Sequence, residues 1–185
     1  NGADSSTGVF DSTGGLNVLG QIGYRAPQYG IAFGYRYGTE GSRFRTFNAL
    51  GGGSGALTSG QNSNSVAFNA YWQPKTSGII PSISFGYGYN TVNGAGAATG
   101  ATNSQSWFTG LQWSDVFAKG NAAGVAVGQP SNSENANKAT LFEAFYKYQV
   151  SDNISVTPAI FYASDNQGTL NASSGWGGVV QTTFK

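Results

Sequence analysis

The chain has 185 residues, with 29 Gly, nine Lys+Arg against eight Asp+Glu, and charged residues at 9%, where a soluble domain carries about 25%. With no Cys and no His it can build no disulfide scaffold, zinc finger, iron–sulfur site or axial haem histidine, and no Ser-His or Cys-His nucleophile. Aromatic residues at 14% argue against global disorder, and the scattered cations argue against nucleic-acid binding through a basic field.

Apolar residues alternate with small or polar ones at period two, the signature of a strand. The first segment sets Leu16, Val18, Gly20, Ile22 and Tyr24 against Asn17, Leu19, Gln21, Gly23 and Arg25. The second sets Ile31, Phe33, Tyr35 and Tyr37 against Ala32, Gly34, Arg36 and Gly38. Val66, Phe68, Ala70 and Trp72 then oppose Ala67, Asn69, Tyr71 and Gln73. Ile83, Phe85, Tyr87 and Tyr89 oppose Ser82, Ser84, Gly86 and Gly88, and Trp107, Thr109, Leu111 and Trp113 oppose Ser106, Phe108, Gly110 and Gln112. A short sixth segment sets Ala123, Val125 and Val127 against Gly124, Ala126 and Gly128. Phe142, Ala144, Tyr146 and Tyr148 oppose Glu143, Phe145, Lys147 and Gln149. Ile154, Val156, Pro158, Ile160 and Tyr162 oppose Ser155, Thr157, Ala159 and Phe161. The ninth segment sets Trp176, Gly178, Val180, Thr182 and Phe184 against Gly177, Val179, Gln181 and Thr183.

These segments predict nine strands of about 9 to 12 residues, the length of a membrane-spanning strand and longer than the usual globular one. The longest strictly apolar run is five residues, Ala159 to Ala163, far short of the ~20 of a spanning helix. Connections alternate in length. Those at 26–28, 74–78, 115–120 and 151–153 are short, and those at 39–64, 91–103, 129–138 and 165–174 are longer and rich in Gly, Ser, Asn and Ala. Outer-membrane barrels show this parity, with the short turns in the periplasm. The second face is mostly Gly, Ala, Ser, Thr, Asn and Gln, which suits a wet lumen while the apolar face meets lipid. The predicted fold class is therefore all-β, an antiparallel transmembrane β-barrel.

Loop parity places the aromatic residues by height. Tyr24, Trp72, Trp113, Tyr148 and Phe184 fall at the short-turn rim, and Tyr37, Tyr89, Trp107, Tyr162 and Trp176 at the long-loop rim. Aliphatic and Phe side chains lie between, so the two rims read as aromatic girdles. The sixth strand carries no rim aromatic. With nine strands and a short last turn, the ninth strand ends in the periplasm and the first begins outside. Residues 1–15 then read as an extracellular loop and residues 16–185 as the C-terminal strands of one larger barrel, since bacterial barrels usually have even strand numbers.

The last third carries a family resemblance. Gly120-Asn121-Ala122-Ala123-Gly124-Val125-Ala126-Val127-Gly128-Gln129-Pro130 resembles a hairpin of the cyanobacterial OprB-like carbohydrate-selective porins, often labelled iron uptake porins. Leu141-Phe142-Glu143-Ala144-Phe145-Tyr146-Lys147-Tyr148-Gln149-Val150, followed by Ser151-Asp152-Asn153-Ile154-Ser155-Val156-Thr157-Pro158, is similar to another of their hairpins. Thr182-Thr183-Phe184-Lys185 resembles their closing segment, which ends on an aromatic residue read by the barrel-assembly machinery; here Lys185 follows Phe184. The match of motif covers roughly residues 105–185, and upstream it is one of pattern. The resemblance implies a barrel of about sixteen strands, a preceding surface-layer-homology domain, a homotrimer, and a setting in outer-membrane lipid and lipopolysaccharide.

No catalytic constellation emerges. The eight carboxylates are Asp4, Asp11, Glu40, Asp115, Glu134, Glu143, Asp152 and Asp165, no two closer than seven positions, and paired-carboxylate chemistry has nothing to build on. Gly51-Gly52-Gly53 and the glycines at 94, 96 and 100 lack the Lys and helix of a phosphate loop. The chain reads as a non-enzyme with no cofactor and no metal. Arg25, Arg36, Asn69, Gln112, Glu143, Lys147 and Gln181 fall on the lumen face and are the expected pore lining. Arg25, Arg36 and Lys147 against Glu143 give a weak anion preference if they line the constriction; alternatively Glu143 and Lys147 neutralise neighbours across the barrel. Glu40, Arg43 and Arg45 sit in the longest loop, which either caps the barrel or folds in as a constriction. Phe108, Phe145 and Phe161 on the lumen face form either a sugar-stacking track or packing contacts. The expected function is an outer-membrane porin, a passive diffusion channel for small hydrophilic solutes and ions. The alternatives are a non-conducting structural or receptor-type barrel with a plugged lumen, and a soluble β-sandwich.

Overall fold

A computed structural model of the chain describes residues 15–41, 43–47, 52–76, 78–94, 103–133, 139–164 and 174–185. Residues 1–14, most of the expected N-terminal loop, lie outside them, as do parts of the long connections. The strands are β1 (Asn17–Arg25), β2 (Tyr29–Gly38), β3 (Arg43–Phe47), β4 (Gly52–Ala56), β5 (Gln61–Trp72), β6 (Ser82–Gly94), β7 (Asn103–Ser114), β8 (Ala122–Ser133), β9 (Leu141–Ser151), β10 (Ile154–Ala163) and β11 (Gly175–Phe184). Nine of them form one antiparallel sheet in the order β1-β2-β5-β6-β7-β8-β9-β10-β11, and β3 and β4 form a separate hairpin. No described residue is helical. The sheet is not closed, with β1 and β11 at its edges.

The nine alternating segments are the nine strands of the sheet, but the strands run further toward the long loops than the alternation does. β5 begins at Gln61, β6 continues to Gly94 and β8 to Ser133. The added stretches, such as Gln61-Asn62-Ser63-Asn64-Ser65, are polar on both faces. A strand end that is polar on both faces keeps its backbone ladder while its period-two apolar signal disappears. The expected loop over 39–64 is corrected for the same reason: it contains the β3–β4 hairpin, paired from Arg43↔Ala56 to Phe47↔Gly52.

Register decides the faces. One continuous ladder row runs Arg25, Gly30, Tyr71, Ser84, Gly110, Ala126, Glu143, Phe161, Gly177 across all nine strands. The neighbouring row on the other face runs Tyr24, Ile31, Ala70, Phe85, Thr109, Val127, Phe142, Tyr162, Trp176. This row starts at the short-turn end of β1 and finishes at the long-loop end of β11, the stagger of tilted strands that barrel closure requires.

The described residues form almost no core. Among the described residues the buried apolar side chains are Leu57, Val92, Ala139 and Ala163. The large apolar side chains lie open instead: Ile22 is 74% exposed, Val180 68% and Trp176 76%. A sheet in water would bury that face.

The short turns are tightly built. After β7 the backbone passes through left-handed conformations at Asp115 and Phe117 and at Gly120. The Asp115 carboxylate accepts the Gly120 N–H at 2.8 Å. Buried Asn121 ties β8 to β9: its Nδ2 donates to Tyr146 Oη at 2.8 Å, and its Oδ1 accepts the Gln149 N–H at 2.9 Å. Pro130 lies where the β7–β8 register shifts, at a point where its missing N–H interrupts no ladder bond.

Candidate functional site on the small-residue face

The candidate site is the face of the sheet opposite the apolar one. All seven expected pore-lining residues share it by register or strand parity. Arg25, Asn69, Gln112, Glu143 and Gln181 are exposed, and Arg36 and Lys147 are half-buried. The sheet surface is hollowed on this side. One depression of about 560 Å³ is lined by Asn69, Gly86, Phe108, Ala126, Glu143 and Phe161, among others. A second, sharing Asn69 and Phe108, carries Arg25 and Tyr71, and a third carries Arg36 and Asn69. Asn69 is thus common to the three. Gln112 lies in a separate hollow nearer the short turns, with Ser82 and Ser114. Lys147 and Gln181 line none of these.

The charges are spread out. Arg36 Nε donates to Asn17 Oδ1 at 2.8 Å, which holds the guanidinium along the wall. Glu143 stands opposite Ala126 and Phe161 in the ladder, and Lys147 stands opposite Ala122, so neither has a charged cross-strand partner there. Four residues apart on one strand, Glu143 and Lys147 are about 13 Å from each other and too far to pair.

Four aromatic residues of this face each stand opposite a glycine: Tyr71 with Gly30, Phe108 with Gly86, Phe145 with Gly124, and Phe161 with Gly177. A Cβ placed on any of these glycines would come closer than 3.0 Å to ring carbons of its partner. The rings therefore lie across the gap between strands instead of standing out from the sheet. This arrangement needs the absence of a side chain, which is why Gly recurs in the middle of strands where it otherwise weakens them. The sequence marks both members of each pair but does not reveal their pairing, because only the register brings them opposite one another. Tyr71 was the aromatic whose place in this set the sequence did not single out.

At the long-loop end the β3–β4 hairpin reaches across. It leaves the sheet between β2 and β5, yet β3 lies against β8, three places further along. Ser63, Val92 and Ser104, which lie on the small-residue face at this end, are buried, as is Leu57 just after β4. The backbone of Gly41 donates to the carbonyl of Leu57 at 2.9 Å, closing the base of the hairpin. Glu40 is exposed at that base. Arg43 and Arg45 lie on β3, and the orientation of their side chains is outside the described structure.

The expected girdle residues all fall on the apolar face. Trp113 Nε1 donates to the Ile79 carbonyl at 2.8 Å and Trp107 Nε1 to Gln129 Oε1 at 3.0 Å, so both indole N–H groups are satisfied on an otherwise apolar surface. Tyr162 and Trp176 pack with ring centroids 4.8 Å apart.

An uncovered apolar face, a hollowed face of small and polar residues, and long tilted antiparallel strands define a membrane-barrel protein of the porin type. Residues 10–185 match the carbohydrate-selective porin family, OprB, and the chain belongs to that family. It is also 29% identical to an uncharacterized protein of Synechocystis sp. over 215 aligned positions, covering 100% of this chain and 38% of that protein. An uncharacterized protein of Nostoc sp. is 29% identical over 202 positions, covering 100% and 34%. The chain thus spans little more than a third of the length of these relatives. No solved structure gives a significant match. The family implies a channel rather than an enzyme.

Proposed function

We propose that this chain forms part of an outer-membrane porin through which small hydrophilic solutes and ions diffuse down their gradients. The observation that carries this reading is the inverted sheet: among the described residues, large apolar side chains are exposed on one face, almost nothing is buried, and small or polar side chains lie on the hollow face. Lipid and lipopolysaccharide cover the apolar face at the cell outer membrane, with the aromatic residues at its two rims. Residues 16–185 belong to one barrel domain, whose open β1 and β11 edges are completed by further strands, and residues 1–15 form an extracellular loop. The barrel-assembly machinery inserts the protein, which works as a homotrimer.

Selection in this reading comes from width and wall charge. Arg25, Arg36, Asn69, Gln112, Glu143, Lys147 and Gln181 line the wall, and the hairpin bearing Arg43 and Arg45, with Glu40 at its base, forms a constriction. The approach of β3 to β8 and the burial of Ser63, Val92 and Ser104 support that role. The three cations against one carboxylate on the wall give a weak anion preference. Reconstitution of the full-length protein in planar bilayers tests the whole reading. Open-channel steps are expected, with a reversal potential displaced modestly toward the anion in a salt gradient. The hairpin at the mouth also fits a plugged, non-conducting barrel; a correctly inserted protein that passes no current establishes that alternative.

A further inference from the structure

We propose that Phe117 and Ile79 form a lipid-docking edge at the short-turn rim, entering the headgroup–acyl boundary of the leaflet there while Lys119 meets its phosphates; this rests on the porin reading above. Ile79 and Phe117 are each 94% exposed and Ile80 is 63% exposed, and all three lie in connections rather than strands. A turn surrounded by water gains nothing from holding large apolar side chains bare.

Both connections are held at the apolar face. Trp113, Ala123 and Tyr146 stand on one rung of that face, on β7, β8 and β9. The ring at each end of the rung grips a connection. Trp113 Nε1 donates to the Ile79 carbonyl at 2.8 Å, and the Tyr146 hydroxyl donates to the Val116 carbonyl at 3.2 Å. That hydroxyl is itself aimed by buried Asn121, whose Nδ2 donates to it at 2.8 Å. Beside this anchor Val116 is half-buried and Phe117 turns outward, its ring centroid 6.3 Å from that of Tyr146. The middle of the rung is Ala123, on the strand that carries no rim aromatic. Phe117 thus brings a ring from the β7–β8 turn to the stretch of rim where β8 has none.

The backbone and the charges agree with this. Phe117 has a φ of 63°, a left-handed conformation that Gly and Asn accept and a bulky residue resists. Such strain persists only where something else offsets it. With Phe117 so exposed, protein contacts contribute little, whereas the interfacial layer of a bilayer rewards burial of an apolar tip. The β5–β6 and β7–β8 connections carry Lys75 and Lys119, both exposed, against the single carboxylate of Asp115. That carboxylate accepts the Gly120 N–H at 2.8 Å within its own turn. The edge therefore presents apolar tips with ammonium groups beside them, which matches a layer of anionic phospholipid.

The test places a nitroxide label at Phe117→Cys, at Ile79→Cys and, as an aqueous control, at Asp152→Cys in the β9–β10 turn. The background is the full-length protein freed of any other Cys, in vesicles containing an anionic phospholipid. Power saturation is read with oxygen, which concentrates in the bilayer, and with a nickel chelate, which stays in water. At positions 117 and 79 the oxygen-to-nickel accessibility ratio is expected to exceed that at 152 several-fold. Replacing the anionic lipid by a zwitterionic one is expected to lower the ratio at 117, and Lys119→Gln is expected to abolish that dependence. Because Ile79 is read separately, a Phe117→Cys protein that fails to fold still leaves the edge open to refutation. Ratios equal to the control in a protein that conducts overturn the proposal and leave the porin reading standing. Low accessibility to both reagents also overturns it, since that result marks a second copy or another protein covering the edge. A labelled and an unlabelled protein that both fail to conduct overturn the porin reading itself.

Discussion

Phe145 and Gly124 show what a single missing side chain does for this sheet. Gly is a poor strand residue, since it adds nothing to pack and loses most backbone entropy. Opposite an aromatic residue on the small-residue face it leaves room for the ring to lie over the neighbouring strand. Replacing Gly124 by Val forces the Phe145 ring out of that space. The expected cost is about 1–3 kcal/mol of overpacking, read as a lower urea midpoint for unfolding of the full-length protein in lipid vesicles. The equivalent change at Gly20, which has no heavy atom within 4 Å of its Cβ position, is expected to cost much less.

At the scale of the element, the β3–β4 hairpin is the feature that stands apart from the nine-stranded sheet. It is paired along five residues of each strand, sits between β2 and β5 in the chain, and comes to rest against β8. Nothing in Arg43-Phe44-Arg45-Thr46-Phe47 or Gly52-Gly53-Ser54-Gly55-Ala56 identifies it as a hairpin, because a two-stranded ribbon held by its surroundings needs no apolar face of its own. Replacing residues 43–56 with a short Gly-Ser linker in the full-length protein is expected to raise single-channel conductance about twofold or more, since a constriction dominates the resistance of a wide pore. A hairpin that merely caps the outside leaves conductance unchanged. The polar loop-side ends of β5, β6 and β8 belong to the same scale: they carry the ladder beyond the apolar alternation, and β8 is the strand that β3 lies against.

For the whole molecule, the decisive property is that its two faces have exchanged the environments of a soluble sheet. Val125 and Ala126 are successive residues of β8 on opposite faces, at mid-strand. Val125→Arg places a cation in hydrocarbon and is expected to cost about 2–4 kcal/mol of stability in a bilayer. Ala126→Arg turns the same charge into the lumen, where it is expected to cost little and to strengthen anion preference. Paired urea titrations in lipid vesicles measure the first effect, and reversal potentials measure the second. Equal penalties at the two sites contradict the assignment of faces. The chain alone forms an open sheet, so its stability is expected to depend on whatever closes the β1 and β11 edges.

Much of this was legible in the amino-acid order. Strand number in the sheet, the apolar and small-residue faces, the alternation of short and long connections and the family resemblance all rest on local signals, and a period of two is read from neighbours a few residues apart. The tertiary structure alone decided which residues stand opposite one another. Gly86 and Phe108 lie 22 positions apart in the chain, and their pairing depends on the register of β6 on β7, fixed by ladder contacts along the whole strand pair. The same holds for the meeting of Asn69 and Glu143 in one hollow and for the passage of β3 to β8. Periodicity fixes the direction in which a side chain points because each residue's alternation is a property of its own backbone. It cannot fix what that side chain meets, because register and curvature arise only when the strands pair.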